Sequence, residues 1–155
     1  MLKFAAVFFA STILIFTTEF ARADTDQALT NYIDQLNANM PPNLDGRAVS
    51  ELFTQTAIQS HPGGEPPDGP HEGRRALETF FSTFDQRWDS WVHKEERRVV
   101  DGNQAFWQGT VGGIRKDSGK EVNVPFAFFA VFADDGLVEE MNVYINVQQI
   151  ADQLK

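Results

Sequence analysis

The chain has 155 residues, a formal charge of −9 and no cysteine. That length suits one domain, and the acidity disfavours nucleic acid and anionic lipid surfaces as partners. Without thiols there are no disulfides, cysteine nucleophiles or cysteine zinc sites, so the fourteen Phe and three Trp must supply a self-sufficient core.

In chain order, residues 1–23 read as an export signal. Lys3 is followed by an apolar run over 4–16, and Ala21-Arg22-Ala23 offers small residues at cleavage spacing. Thr17, Thr18 and Glu19 interrupt the run before the roughly 20 apolar residues a membrane span requires. The expected product is a secreted or periplasmic domain over 24–155, free of the membrane once the signal is removed.

Leu29, Tyr32, Ile33 and Leu36 follow the i, i+3, i+4, i+7 spacing of a buried helix face, capped by Thr25 or Asp26 and ended by Pro41-Pro42. A short helix is predicted from Asp45, with Val49, Leu52 and Phe53 apolar, then a strand over 57–60. The stretch "HPGGEPPDGPHEG" (61–73) carries four Pro and four Gly, which no helix or strand accommodates. Helical spacing returns in Leu77, Phe80, Phe81 and Phe84, with Arg74 and Arg75 expected to face solvent.

From Trp88 the period becomes two, clearest in Ala105, Trp107, Gly109, Val111 and Gly113. Residues 122–133 are apolar at almost every position, which predicts a strand covered on both faces. Asp134-Asp135-Gly136 signals a turn into a last strand over 137–145. Asn146, with Gln149 three residues on, fits the N-cap of a terminal helix. Helices first and a run of antiparallel strands afterwards define an α+β fold.

The segments "NYIDQLNANM" (31–40), "LFTQTAIQSHPGGEP" (52–66), "EGRRALETFF" (72–81), "VNVPFAFFAVF" (122–132) and "LVEEMNVYIN" (137–146) resemble, in order and spacing, the SnoaL-like or NTF2-like superfamily. Among enzymes the resemblance is to steroid Δ5-3-ketoisomerase. It implies a cone, in which a curved antiparallel sheet wraps around N-terminal helices and encloses an apolar cavity. Phe53, Phe80, Phe81, Phe84, Trp107, Ala127, Phe129, Met141 and Ile145 are the ligand-lining residues this implies.

The resemblance places the oxyanion-binding Tyr on Tyr32 and the general-base Asp on His61. The protonated Asp falls on Ala127, which has no donor. An imidazole, with an ordinary pKa of about 6.5, can still serve as a base near neutrality. Losing one oxyanion donor typically costs about 10²–10³ in rate, so efficient ketosteroid isomerisation is not expected. Tyr144-Ile145-Asn146 stands where many relatives keep Tyr-x-Asp, and Asn cannot act as a base.

His61, His71 and His93 show no metal-ligand spacing, and no cofactor motif occurs. "KEERR" (94–98) reads as the solvated face of a strand. The expectation is a protein that binds a small apolar molecule, with His61 and Tyr32 available for isomerase-, cyclase- or dehydratase-like proton transfer. The alternative is a non-catalytic binding module, or a dimerisation module with a vestigial site. A homodimer through the apolar sheet face of 122–133 is expected in either case.

Overall fold

The computed structural model describes residues 24–62 and 70–155. The expected export signal and the centre of the Pro/Gly stretch lie outside the described residues. No described helix is long and apolar enough to cross a membrane.

Helix α1 (Thr25–Ala38) buries Leu29, Tyr32, Ile33 and Leu36, as its spacing requires. Its cap is Asp24, whose carboxylate accepts from the Asp26 N–H, rather than Thr25 or Asp26. Thr25 is buried instead and its hydroxyl donates to the Gly102 carbonyl. Asp45 caps the short helix α2 (Gly46–Ser50) by accepting from the Ala48 N–H. Strand β1 (Phe53–Ser60) begins four residues earlier than the sequence pattern marks. Its first half carries polar Thr54, Gln55 and Thr56, which hide the alternation.

The Pro/Gly loop leaves β1 and returns as β2 (His71–Glu72), a two-residue strand that sequence reading does not detect. Gln59 pairs with His71 and Ile58 with Glu72, so the loop is closed at its neck. Helix α3 (Arg74–Ser82) follows, and Phe84 falls in a separate 3-10 turn, Phe84–Gln86. Arg74 does not face open solvent: its guanidinium donates through both Nε and Nη2 to the Phe53 carbonyl, tying α3 to β1.

Strands β3 (Trp88–Asp101), β4 (Gln104–Arg115), β5 (Glu121–Phe132) and β6 (Val138–Ile145) complete one six-stranded sheet of order β2-β1-β6-β5-β4-β3. All pairings are antiparallel except β1 with β6, which is parallel. The sheet is curved and unclosed, and bulges at Trp88/Ser90 and Glu95/Arg97 of β3 add local twist. The core lies between the concave face and helices α1 and α3, with Leu29, Phe53, Leu77, Trp107 and Val124 fully buried. Each such side chain contributes roughly 1.5–3 kcal/mol on burial.

Strand β5 departs from expectation in one respect. Val122, Val124, Phe126, Phe128, Ala130 and Phe132 are buried, whereas Asn123 and Pro125 are exposed and Ala127, Phe129 and Val131 only half-buried. One face is covered within the chain, not two. The terminal helix α4 (Val147–Leu154) is capped by Asn146, which accepts from the Gln149 N–H.

Candidate functional site

The cone holds a small cavity of about 40 Å³, open toward its mouth, whose polar groups come from three elements. Helix α1 delivers Tyr32, β1 delivers Gln59 with His61 just past its end, and β3 delivers His93. Alternation explains the last three. Ala57, Gln59 and His61 share one face of β1, and Trp91 and His93 share one face of β3. Aromatic and aliphatic groups form the walls, notably Phe80, Phe81, Phe84, Phe128, Met141 and Ile145.

Tyr32 is 3 % exposed and its hydroxyl donates to the Met141 sulfur at 3.4 Å. Edge-on contacts with Phe53 and Trp107, at 5.8 and 5.9 Å between centroids, fix its ring. Burial alone pushes the phenol pKa well above its ordinary value, so Tyr32 is a neutral donor.

Gln59 is 3 % exposed, and its Nε2 donates to His61 Nε2 at 3.3 Å. That bond puts the imidazole proton of a neutral His61 on Nδ1. Gln59 Oε1 is buried with no hydrogen-bond partner among the described residues. His61 is half-buried and stands at the cavity mouth, its ring 5.2 Å from Phe80 and 5.8 Å from His71. The two ends of the Pro/Gly loop therefore meet at the rim of the site.

His93 is 7 % exposed, with Nδ1 buried and unpartnered among the described residues. Its ring packs on Phe126 and Phe128 at 5.8 and 5.6 Å. Desolvation lowers its pKa to about 3, so it is a neutral imidazole at physiological pH. Asn37 of α1 grips its backbone from the other side. The Asn37 Oδ1 accepts from the His93 N–H at 2.8 Å, and its Nδ2 donates to the His93 carbonyl at 2.9 Å.

Of the residues singled out from sequence, Tyr32, His61, Phe80, Phe81, Phe84, Met141 and Ile145 surround this cavity. Phe53 and Trp107 do not line it; both are fully buried behind Tyr32 and act as its supports. Ala127 and Phe129 require correction. They sit at odd positions of β5, and alternation turns them to the convex face while Phe126 and Phe128 point inward. No side chain at position 127 would reach the cavity from this backbone.

Gln59 and His93 were not singled out from sequence, although period-two counting from Ala57 and from Trp91 would have placed them inward. Among the described residues, no group of three or more His, Asp or Glu is placed to hold a metal ion.

Beyond His61 the cavity opens into an outer cleft of about 280 Å³. Trp88, Trp91, Phe84, Val147 and Ile150 form its apolar walls, with Arg87 and Arg115 among them.

No curated protein matches the chain. Solved structures do. An NTF2-like protein of unknown function from Burkholderia pseudomallei superposes with a TM-score of 0.72 at 12 % identity, over 86 % of this chain and 98 % of that one. A protein with a ketosteroid isomerase-like fold from Catenulispora acidiphila, in complex with trimethylamine, gives 0.70 at 13 %, over 84 % and 93 %. A proposed SnoaL-like polyketide cyclase from Jannaschia gives 0.67 at 18 %, over 83 % and 90 %. At these identities the likeness is one of fold. The SnoaL-like domain family, in contrast, matches in sequence over residues 29–141. The chain belongs to the SnoaL-like family, with the NTF2-like cone as its fold.

Proposed function

We propose that the protein binds a small, largely apolar molecule in the cone and moves a proton on it, in the manner of an isomerase, cyclase or dehydratase. One observation carries this reading: a cavity with aromatic walls gathers Tyr32, Gln59, His61 and His93, and Gln59 Oε1 and His93 Nδ1 are buried there with no partner among the described residues. Orphaned buried polar atoms are uncommon in folded proteins and await a ligand or an ordered water. His61 is the base, because its Nε2 lone pair faces the Gln59 amide, a neutral donor that a ligand can displace. Tyr32 is the donor to the oxygen that gains charge, because a thioether is a weaker acceptor than a carbonyl.

A second reading is a binding module without turnover. No carboxylate lines the cavity among the described residues, and this favours it. Hydrogen–deuterium exchange beside the carbonyl of cyclic ketones, followed by NMR in D₂O, separates the two. Catalysis predicts exchange that His61→Ala abolishes while binding persists. Binding without exchange in the native protein supports the module, and absence of both refutes both readings.

The homodimer and the export signal belong to this proposal as well. The dimer rests on the half-covered convex face of β4 and β5, and export rests on the composition of residues 1–23. Amino-terminal sequencing of protein secreted by its host tests the latter, with Asp24 expected first.

A further inference from the structure

We infer that the ligand is an organic acid: its neutral, apolar part enters the cone and its carboxylate stays in the outer cleft between Arg87 and Arg115. This rests on the small-molecule reading above and adds a charge and an orientation to it.

The outer cleft adjoins the inner cavity through His61, Phe80, Phe84, Trp91, Val143 and Ile145, which line both. Its only charged side chains among the described residues are the two arginines, in a chain whose formal charge is −9. Among the described residues the charged lining of this cleft is cationic in an acidic protein, a local field that attracts anions.

Both guanidinium groups are held in place by the walls. Arg87 lies over Phe84 at 5.5 Å and Arg115 over Trp88 at 5.2 Å. The backbone brings them together: Trp88 is the register partner of Arg115, and the Lys116 N–H donates to the Arg87 carbonyl at 3.0 Å. Arg87 has no carboxylate partner among the described residues. Its Nη2 donates to the Thr83 hydroxyl at 3.1 Å, and Nε and Nη1 have no hydrogen-bond partner among the described residues. Arg115 gives Nε and Nη2 to Asp117, at 3.3 and 2.6 Å, and keeps Nη1. Planar guanidinium groups with spare N–H donors beside aromatic rings suit a carboxylate attached to an apolar body.

The inner cavity gives the opposite preference. His93 is neutral there, Tyr32 is neutral, and no Asp, Glu, Lys or Arg lines it among the described residues. An ionised head would lose its hydration without a counter-charge. The charge therefore belongs outside and the uncharged end inside.

The test compares 4-cyclohexylbutanoic acid with its primary amide, which share a body that does not absorb where tryptophan does. Binding is read from the fluorescence of the protein, since Trp88 and Trp91 line the cleft. The acid should bind about tenfold more tightly than the amide at low salt, and the advantage should shrink as salt rises. Arg87→Gln should remove most of that advantage and leave amide affinity within about twofold. Arg87→Lys should restore part of it, which guards against a folding effect. Equal affinity for acid and amide, or an equal loss of both in Arg87→Gln, overturns the carboxylate assignment while cavity binding stands. Failure of both compounds to perturb the fluorescence overturns the assignment and counts against the cavity reading too.

Discussion

The Tyr32 hydroxyl points at the Met141 sulfur, 3.4 Å away, across the floor of the cavity. A phenol whose partner among the described residues is a thioether gains little net stability through that bond. Tyr32→Phe should therefore shift the urea midpoint by the equivalent of less than about 1 kcal/mol. The same change should weaken binding of cyclic ketones or slow their proton exchange by at least about tenfold. A large stability loss with unchanged ligand behaviour would make Tyr32 a core residue and nothing more.

His93 makes the fold sensitive to acid. Its folded pKa of about 3 lies below the unfolded value near 6.5, so between those limits the unfolded chain binds the extra proton. Stability from this group is complete above pH 6.5 and falls as pH drops, by about 1.4 kcal/mol per unit. His93→Gln cannot titrate. Urea unfolding at pH 7 and pH 5 should show a clearly smaller acid loss in the variant than in the native chain; equal losses would place the acid sensitivity elsewhere.

Gly109 of β4 faces Glu95 beside the bulge of β3, and a methyl group there would sit 1.9 Å from the Lys94 carbonyl oxygen. The obstacle is backbone, so it cannot swing aside. Gly109→Ala should cost roughly 2 kcal/mol or more by urea unfolding. At Gly102 a methyl would meet nothing, although φ is +60°, and Gly102→Ala should cost only about 1 kcal/mol.

The convex face is the expected dimer surface. Phe106 is the register partner of Phe129 on that face and is 39 % exposed, and Tyr144, next to Ala127 across β5 and β6, is 47 % exposed. Phe106→Glu should leave the circular dichroism spectrum unchanged and convert a sedimenting dimer to a monomer. A native protein that is already monomeric would remove this interface.

Sequence and structure agree where a pattern is repeated and disagree where one residue decides. The buried stripe of α1 and the turn at Asp134-Asp135-Gly136 were legible because several residues in each obey one period or one turn rule. The helix cap was not, because Asp24, Thr25 and Asp26 are all capable caps and burial of Thr25 settles the choice. Within the site, Tyr32 and His61 were legible through family resemblance. Ala127 and Phe129 were assigned to the wrong face because an apolar run such as 122–133 carries no visible alternation. His93 was passed over for its charged neighbours, Lys94, Glu95 and Glu96. Counting by two from Trp91 turns this position inward, and the ring contacts of His93 with Phe126 and Phe128 show it there.

The grip of Asn37 on His93 has a consequence for how such a site can diversify. β3 is an edge strand, and Asn37 supplies the donor and acceptor that a neighbouring strand would otherwise provide. Because Asn37 and Tyr32 share one helix, the clamp fixes the spacing between two of the inner polar groups without any help from loops. The Pro/Gly segment attaches elsewhere, through the Gln59 and His71 pair. Its length and composition can drift while the inner end stays in register, so the entrance is free to be re-tailored to new molecules around an unchanging anchor.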